Sequence, residues 1–314
     1  MATPLPSAAV IDIGSNSIKL LVAARQNDGQ LFSLYSRTLD VRISAGISQT
    51  PPRLSEPGMH AGLAAVETLL REARHYLPHK QQIVATSAVR DATNGPEFRE
   101  RILKETGQVV RILSGDEEAN LIGRGLLTDT ALSALSSFYV FDLGGGSLEC
   151  LAFEHRRITA AASFPLGCVR LTERFCQDSS LPFSRSEQQG LAQHVHESLQ
   201  RGAFPFNLPT PAEAIFTGGT ITTARATLAE NEGLRLESSR SYVSKLSLQQ
   251  LLDQIAPLPL TERRAIPGIP SARADVFPVG LATLITLADY AQVSGFWHSF
   301  HNLRWGIADE LLIP

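Results

Sequence analysis

Two short stretches of the chain repeat one arrangement of residues. Asp12-Ile13-Gly14-Ser15-Asn16-Ser17 and Asp142-Leu143-Gly144-Gly145-Gly146-Ser147 share Asp-x-Gly-x-x-Ser in register. A third glycine turn, Gly218-Gly219-Thr220, comes later. Glycine tolerates positive φ and lets backbone N–H groups converge on one point, and such nests bind anions, phosphate above all. The third turn also precedes a helical pattern, whose N-terminus favours negative charge. Any one of these turns alone reads equally as an ordinary hairpin or helix start. The aspartate-anchored pair followed by the third turn is a much more specific signal.

Asp12 and Asp142 each end an apolar run just before a turn. Two roles fit: bonding the turn's own backbone, or holding a hydrated Mg²⁺ or another divalent cation that bridges phosphate oxygens. The more open triple-glycine turn favours the metal role for Asp142. Glu117 and Glu118 start a helix after a strand, and acids there can be mere dipole partners. Glu117 completes a capping box with Ser114, which leaves Glu118 to point elsewhere and to deprotonate an attacking water. Glu149, beyond the triple-glycine turn, is a second acidic candidate, for metal or for water. The cations are scattered: Lys19 follows the first turn, Arg90 follows Thr86 to Val89, and Arg42, Arg170, Arg273 and Arg304 sit near other loops. An isolated arginine is ordinarily solvated, whereas several converging ones grip phosphates bidentately. The histidines show no paired metal spacing, and Cys168 reads as a small buried residue.

Several elements must position these residues. Ala8 to Ile13 followed by Ile18 to Ala24, and Phe138 to Leu143 followed by Leu148 to Phe153, read as two β-hairpins with polar loops. Between them run a helix over 57–76, a strand over 82–86, a helix over 96–106 with proline in its first turn, a strand over 109–113, and the Ser114-capped helix towards Leu127. The second half gives helices over 181–200, 221–229, 248–256, 260–265, 279–291 and 303–312, with a strand over 214–217 and a strand or loop over 295–300. Strands alternating with helices imply an α/β architecture. The hairpins start one domain length apart, so the repeat reads as two related domains whose turns face a shared cleft. The expected boundaries are 1–124 and 125–299, with the C-terminal helix 300–314 packing back on the first domain.

Composition narrows the function classes. Charged residues make up 19% and hydrophobic ones 43%, a globular and not a disordered chain. The longest apolar stretch, near Val279 to Ala288, falls short of the ~20 residues a membrane span needs. The first residues, small and proline-rich, lack a basic signal-peptide region. Three cysteines without zinc spacing suit reduced thiols and a cytoplasmic protein. A formal charge of −3 disfavours a long basic track for a nucleic-acid duplex. It does not disfavour a polyanion held by loop N–H groups, a metal ion and a few placed arginines.

With these motifs in hand, the chain resembles a known family. The Asp-x-Gly-x-x-Ser repeat with a later Gly-Gly-Thr is similar to the actin and sugar kinase superfold. Within it the chain closely resembles the exopolyphosphatase / guanosine pentaphosphate phosphohydrolase family. The matching segments are 11–20 (IDIGSNSIKL), 85–95 (ATSAVRDATNG), 112–119 (ILSGDEEA), 141–149 (FDLGGGSLE), 164–175 (FPLGCVRLTERF) and 217–220 (TGGT). Weaker matches lie at Pro267-Gly268, at Arg273-Ala274-Asp275 and at Ser299 with Leu303 to Gly306.

The resemblance implies two ribonuclease-H-like domains around a central cleft and hydrolysis of terminal phosphoanhydride bonds. It assigns the catalytic base to Glu118 and places the family's acids beside the triple-glycine loop on Asp142, for metal, and on Glu149, for metal and catalysis; Asp12 stays a further metal candidate from its place before the first turn. Phosphate contacts fall to Gly14, Ser15, Asn16, Ser17, Lys19, Arg90, Gly144, Gly145, Gly146, Ser147, Gly218, Gly219 and Thr220. Two departures stand out: Trp305 occupies a position where the family often has glutamate, and Lys19 lies at a position that varies with substrate preference.

The expected activity is Mg²⁺-assisted release of orthophosphate from inorganic polyphosphate. The alternatives are 5′-phosphate removal from guanosine pentaphosphate, a kinase of the same superfold, and a non-catalytic sensor or actin-like assembly protein. No membrane partner is expected, and a homodimer is left open.

Overall fold

The structure is a computed structural model that describes residues 5–45, 47 and 49–313. Contacts divide the chain into two units, one running to Ser133 and resuming at His301, the other spanning Ala134–Phe300. Each unit has its own apolar core, centred on Ile11, Leu20 and Phe98 in the first and on Phe141, Phe216 and Phe296 in the second. Among the described residues no helix is long and apolar enough to cross a membrane.

The first unit opens with a hairpin of β1 (Ser7–Ile13) and β2 (Ser17–Arg25) and adds β3 (Leu31–Asp40). Then come α1 (Glu56–Arg74), β4 (Lys80–Ala85), α2 (Ser87–Asp91), α3 (Gly95–Thr106), β5 (Val110–Ile112) and α4 (Gly115–Leu127). Its sheet has the order β3-β2-β1-β4-β5, antiparallel through the first three strands and parallel from β1 to β5. β1 is buried at every position, as a central strand should be, and its polar Ser7 and Asp12 are buried with the rest.

The second unit repeats the plan. β6 (Phe138–Leu143), β7 (Leu148–Glu154) and β8 (Arg157–Phe164) form an antiparallel meander. α5 (Cys168–Phe175), α6 (Arg185–Arg201), β9 (Glu213–Thr217) and α7 (Gly219–Asn231) follow. β10 (Tyr242–Ser244), α8 (Lys245–Ile255), α9 (Leu260–Arg263), α10 (Phe277–Tyr290) and β11 (Gly295–His298) complete it. The sheet order is β8-β7-β6-β9-β11-β10, the order of the first unit with one antiparallel edge strand added. Even the irregularities repeat. The register shifts between Val22 and Ala23 in one unit and between Ala152 and Phe153 in the other, at equal distances beyond the repeated aspartates. These are two ribonuclease-H-like units.

The last helix, α11 (Leu303–Leu311), returns to the first unit. Asp309 binds Arg25 at 2.5 Å and Arg124 at 2.6 Å, and Gly306 lies against the backbone of Leu121 in α4. The two hairpins and the alternating elements form as the sequence predicts. α6 is shorter than expected, because Ser184 caps it with a Ser184/Glu187 box and residues 181–184 stay outside the helix.

Candidate functional site

In the first unit the turn between β1 and β2 is held by its own carbonyls. Ser15 O accepts from Ser44 N at 3.2 Å and Ser44 Oγ at 3.0 Å. Asn16 O accepts from Val41 N and Arg42 N, and Asn16 Oδ1 accepts from Arg42 Nε at 3.1 Å. With its carbonyls turned towards 41–44, the turn leaves the amides of Ser15 and Asn16 without a protein acceptor among the described residues. Two adjacent amides without an acceptor can receive an anion, although Gly14 does not take the positive φ that its residue type allows.

Helix α2 connects this turn to an acid. Ser87 Oγ lies 3.2 Å from Ser15 Oγ. One turn on, Arg90 Nη1 donates to Leu113 O at 3.0 Å and to Glu118 Oε2 at 2.9 Å. Glu118 is 6% exposed. Its neighbour Glu117 is spent on the helix end: the Ser114/Glu117 capping box forms and Glu117 also pairs with Arg111. The local sequence decides this division, since the third residue after the cap must turn back to the cap amide. Asp12 sits opposite Lys19 on the neighbouring strand. Burial raises the Asp12 carboxyl above the ordinary aspartate range, and the charges of Lys19 and Arg304 oppose that rise.

The second unit holds its turn in a parallel way. Gly144 O accepts from Cys168 N, Gly145 O from Val169 N and Arg170 N, and Gly146 O from Arg170 Nε at 3.0 Å. The N-terminus of α5 thus grips all three turn carbonyls. Gly167 makes that approach possible, because a Cβ there would collide with the backbone of Gly145 and Gly146. The amides of Gly145, Gly146 and Ser147 have no protein acceptor among the described residues.

Behind this turn the chemistry differs from the first unit. Asp142 faces Glu149 across β6 and β7, in the register that pairs Asp12 with Lys19. Glu149 is 1% exposed and accepts from Ser163 Oγ at 2.8 Å. Directly opposed residues have Cβ atoms about 5 Å apart, and like charges there repel. A divalent cation relieves that repulsion, and two carboxylates with waters and substrate oxygens suit Mg²⁺. The residues present therefore fit such an ion, although no group of three acidic, histidine or cysteine ligands occurs among the described residues.

The third turn joins the second. Gly218 has φ 95°, and a Cβ there would lie 2.5 Å from Asp142 Oδ1, so only glycine fits beside the aspartate. Gly219 and Thr220 open α7, which has no side-chain cap. The guanidinium of Arg273 lies directly against Gly219. The sequence signal for Arg273 was its Arg-Ala-Asp motif, which is too short to give it a role unaided. Cys168 is buried in the core of this unit, and burial pushes the thiol of Cys176 up to about 12, so neither suits a nucleophile.

The structure thus brings Ser15, Asn16, Arg90 and Glu118 together in one unit. In the other it brings together Asp142, Glu149, Gly144 to Ser147 and Gly218 to Thr220. Residues 21–312 match the model of the Ppx/GppA phosphatase family. The chain belongs to the Ppx/GppA phosphatase family. An exopolyphosphatase from Cytophaga hutchinsonii superposes with a TM-score of 0.87 at 24% identity, over 98% of this chain and 97% of that one. A Ppx/GppA family member from Aquifex aeolicus gives 0.78 at 23% identity, over 98% of both chains. An exopolyphosphatase-like protein gives 0.85 at 24% identity, again over 98% of both. Likeness at these identities is likeness of fold.

Proposed function

We propose that this Ppx/GppA family member is an exopolyphosphatase that releases orthophosphate from the end of inorganic polyphosphate. The observation that carries the reading is the acid pair. Asp142 and Glu149 oppose each other beside a glycine turn whose carbonyls are tied back and whose Gly145, Gly146 and Ser147 amides have no protein acceptor among the described residues. Asp142 and Glu149, with Asp12 as a further candidate, would hold Mg²⁺, which when bound neutralises charge on the phosphate oxygens. The amides of Gly145, Gly146 and Ser147, and those opening α7 at Gly219 and Thr220, take phosphate oxygens as fixed dipoles. The Ser15 and Asn16 amides of the Gly14 to Ser17 turn, with Lys19, supply the same function in the first unit.

Glu118 takes the proton of the attacking water, and Arg90 fixes that carboxylate through the 2.9 Å ion pair. The water oxygen bonds to the terminal phosphorus as the bridging P–O bond breaks. Orthophosphate leaves, and the chain is shorter by one unit. Reduced thiols suit a cytoplasmic setting for this reaction.

The test is phosphate release from long-chain polyphosphate with Mg²⁺ and with chelator, with guanosine pentaphosphate run alongside. The expected result is Mg²⁺-dependent release from polyphosphate that falls by about 10² to 10⁴ in Glu118→Gln. Faster release from guanosine pentaphosphate moves the substrate assignment to that nucleotide, and full activity in Glu118→Gln removes the base assignment.

A further inference from the structure

The carbonyl of Gly218 is tethered by a chain of side chains that the reaction itself does not use. Thr222 Oγ1 donates to Gly218 O at 2.8 Å. His298 Nε2 lies 3.0 Å from the same hydroxyl, and His298 Nδ1 lies 3.1 Å from Arg225 Nη1. Every direction in this chain is forced. Arginine only donates, so His298 Nδ1 must accept and the ring proton sits on Nε2. Nε2–H then donates to Thr222, whose own hydroxyl proton is left for Gly218 O. Arg225 is fixed in turn: Nε donates to Ser239 Oγ at 3.0 Å, and Nη2 donates to Leu236 O and Ser239 O. Burial and the neighbouring guanidinium lower the His298 pKa to about 3, so the imidazole stays neutral and the chain keeps its polarity at ordinary pH.

The Gly218–Gly219 peptide is planar and trans, so its C=O and N–H point in opposite directions. Tying the carbonyl back towards α7 turns the Gly219 N–H away from the helix. The backbone alone holds this peptide weakly: Thr222 N lies 3.4 Å from Gly218 O, and α7 has a glycine N-cap with no side-chain bond. The geometry points to Arg225, His298 and Thr222 as positioning residues that aim the Gly219 amide of the third turn at a phosphate group. This rests on the reading of that turn as a phosphate site.

The test follows the Gly219 amide by NMR in protein carrying ¹⁵N-glycine, titrated with pyrophosphate without metal. In the unaltered chain and in Thr222→Ser, which keeps the hydroxyl, pyrophosphate shifts the Gly219 resonance with equal affinity. In Thr222→Val, which keeps the shape and loses the hydroxyl, the dissociation constant rises about five- to ten-fold, the loss of roughly one hydrogen bond. Arg225→Ala weakens binding similarly, and free guanidinium restores it, because a cavity of about 850 Å³ borders Arg225 and gives the ion a way in. Equal affinity in Thr222→Val, equal weakening in Thr222→Ser, or a Gly219 resonance that ignores pyrophosphate in the unaltered chain would each overturn the inference. If Gly219 responds as expected while polyphosphate yields no orthophosphate, the activity reading fails and the positioning role stands.

Discussion

The two hairpin turns share their backbone plan and differ in the charge behind it. In both, residues far along the chain bind the turn carbonyls, Val41, Arg42 and Ser44 in one unit and Cys168 to Arg170 in the other. The same strand register then sets Asp12 against Lys19 and Asp142 against Glu149. The first pair sets a carboxylate against an ammonium, whereas the second sets two carboxylates against each other. One backbone design thus carries two different charge pairings, and a single position, Lys19 or Glu149, separates them.

The largest effect that could break this comparison lies at Glu149. Glu149→Gln should keep the bond from Ser163, lower phosphate release by about 10² or more, and abolish the Mg²⁺-induced rise in melting temperature. Lys19→Gln should leave that Mg²⁺ response intact. An unchanged Mg²⁺ response in Glu149→Gln would show that the acid pair is not the ion's site.

Gly167→Ala comes next. Its Cβ must push into the second turn, so calorimetry should find a loss of about 1–3 kcal/mol. Gly144→Ala meets only Ser147 O, at an ordinary 3.5 Å, and should fold normally. Ser44→Ala probes the first turn's grip by removing one hydroxyl bond to Ser15 O, for a loss of about 1 kcal/mol in denaturant unfolding.

Asp12→Asn should act in the other direction. The folded-state pKa of Asp12 is raised above 3.8, so the folded form binds its proton more tightly than the unfolded chain does. Stability therefore falls as pH rises from below 3.8 through the folded value. In metal-free buffer the asparagine variant should melt higher than the parent at pH 7, and the gain should vanish below pH 3.8. A gain that persists in acid would refute burial as the source of the shift.

Much of the fold is readable in the chain because its signals are local. The hairpins follow from apolar runs broken by small polar turns, and the Ser114/Glu117 box separates the roles of two adjacent glutamates. The repeat predicts two like units, and the strand orders agree. β3 and β8 leave little pattern, because both lie at sheet edges and are only partly buried, so no clean alternation of apolar and polar residues marks them. α5 is brief and amphipathic, and its importance comes from the carbonyls it grips rather than from its own sequence.

The site divides along the same line. Residue types alone say which positions carry oxygens, amides and positive charge, and that glycine would let the turns bend. Folding alone sets where those turns point and which acid faces which partner, and it brings Arg273 and the Arg225–His298–Thr222 chain onto the third turn. Hydrogen-bond direction and strand register arise between residues distant in the chain, and no local spacing encodes them.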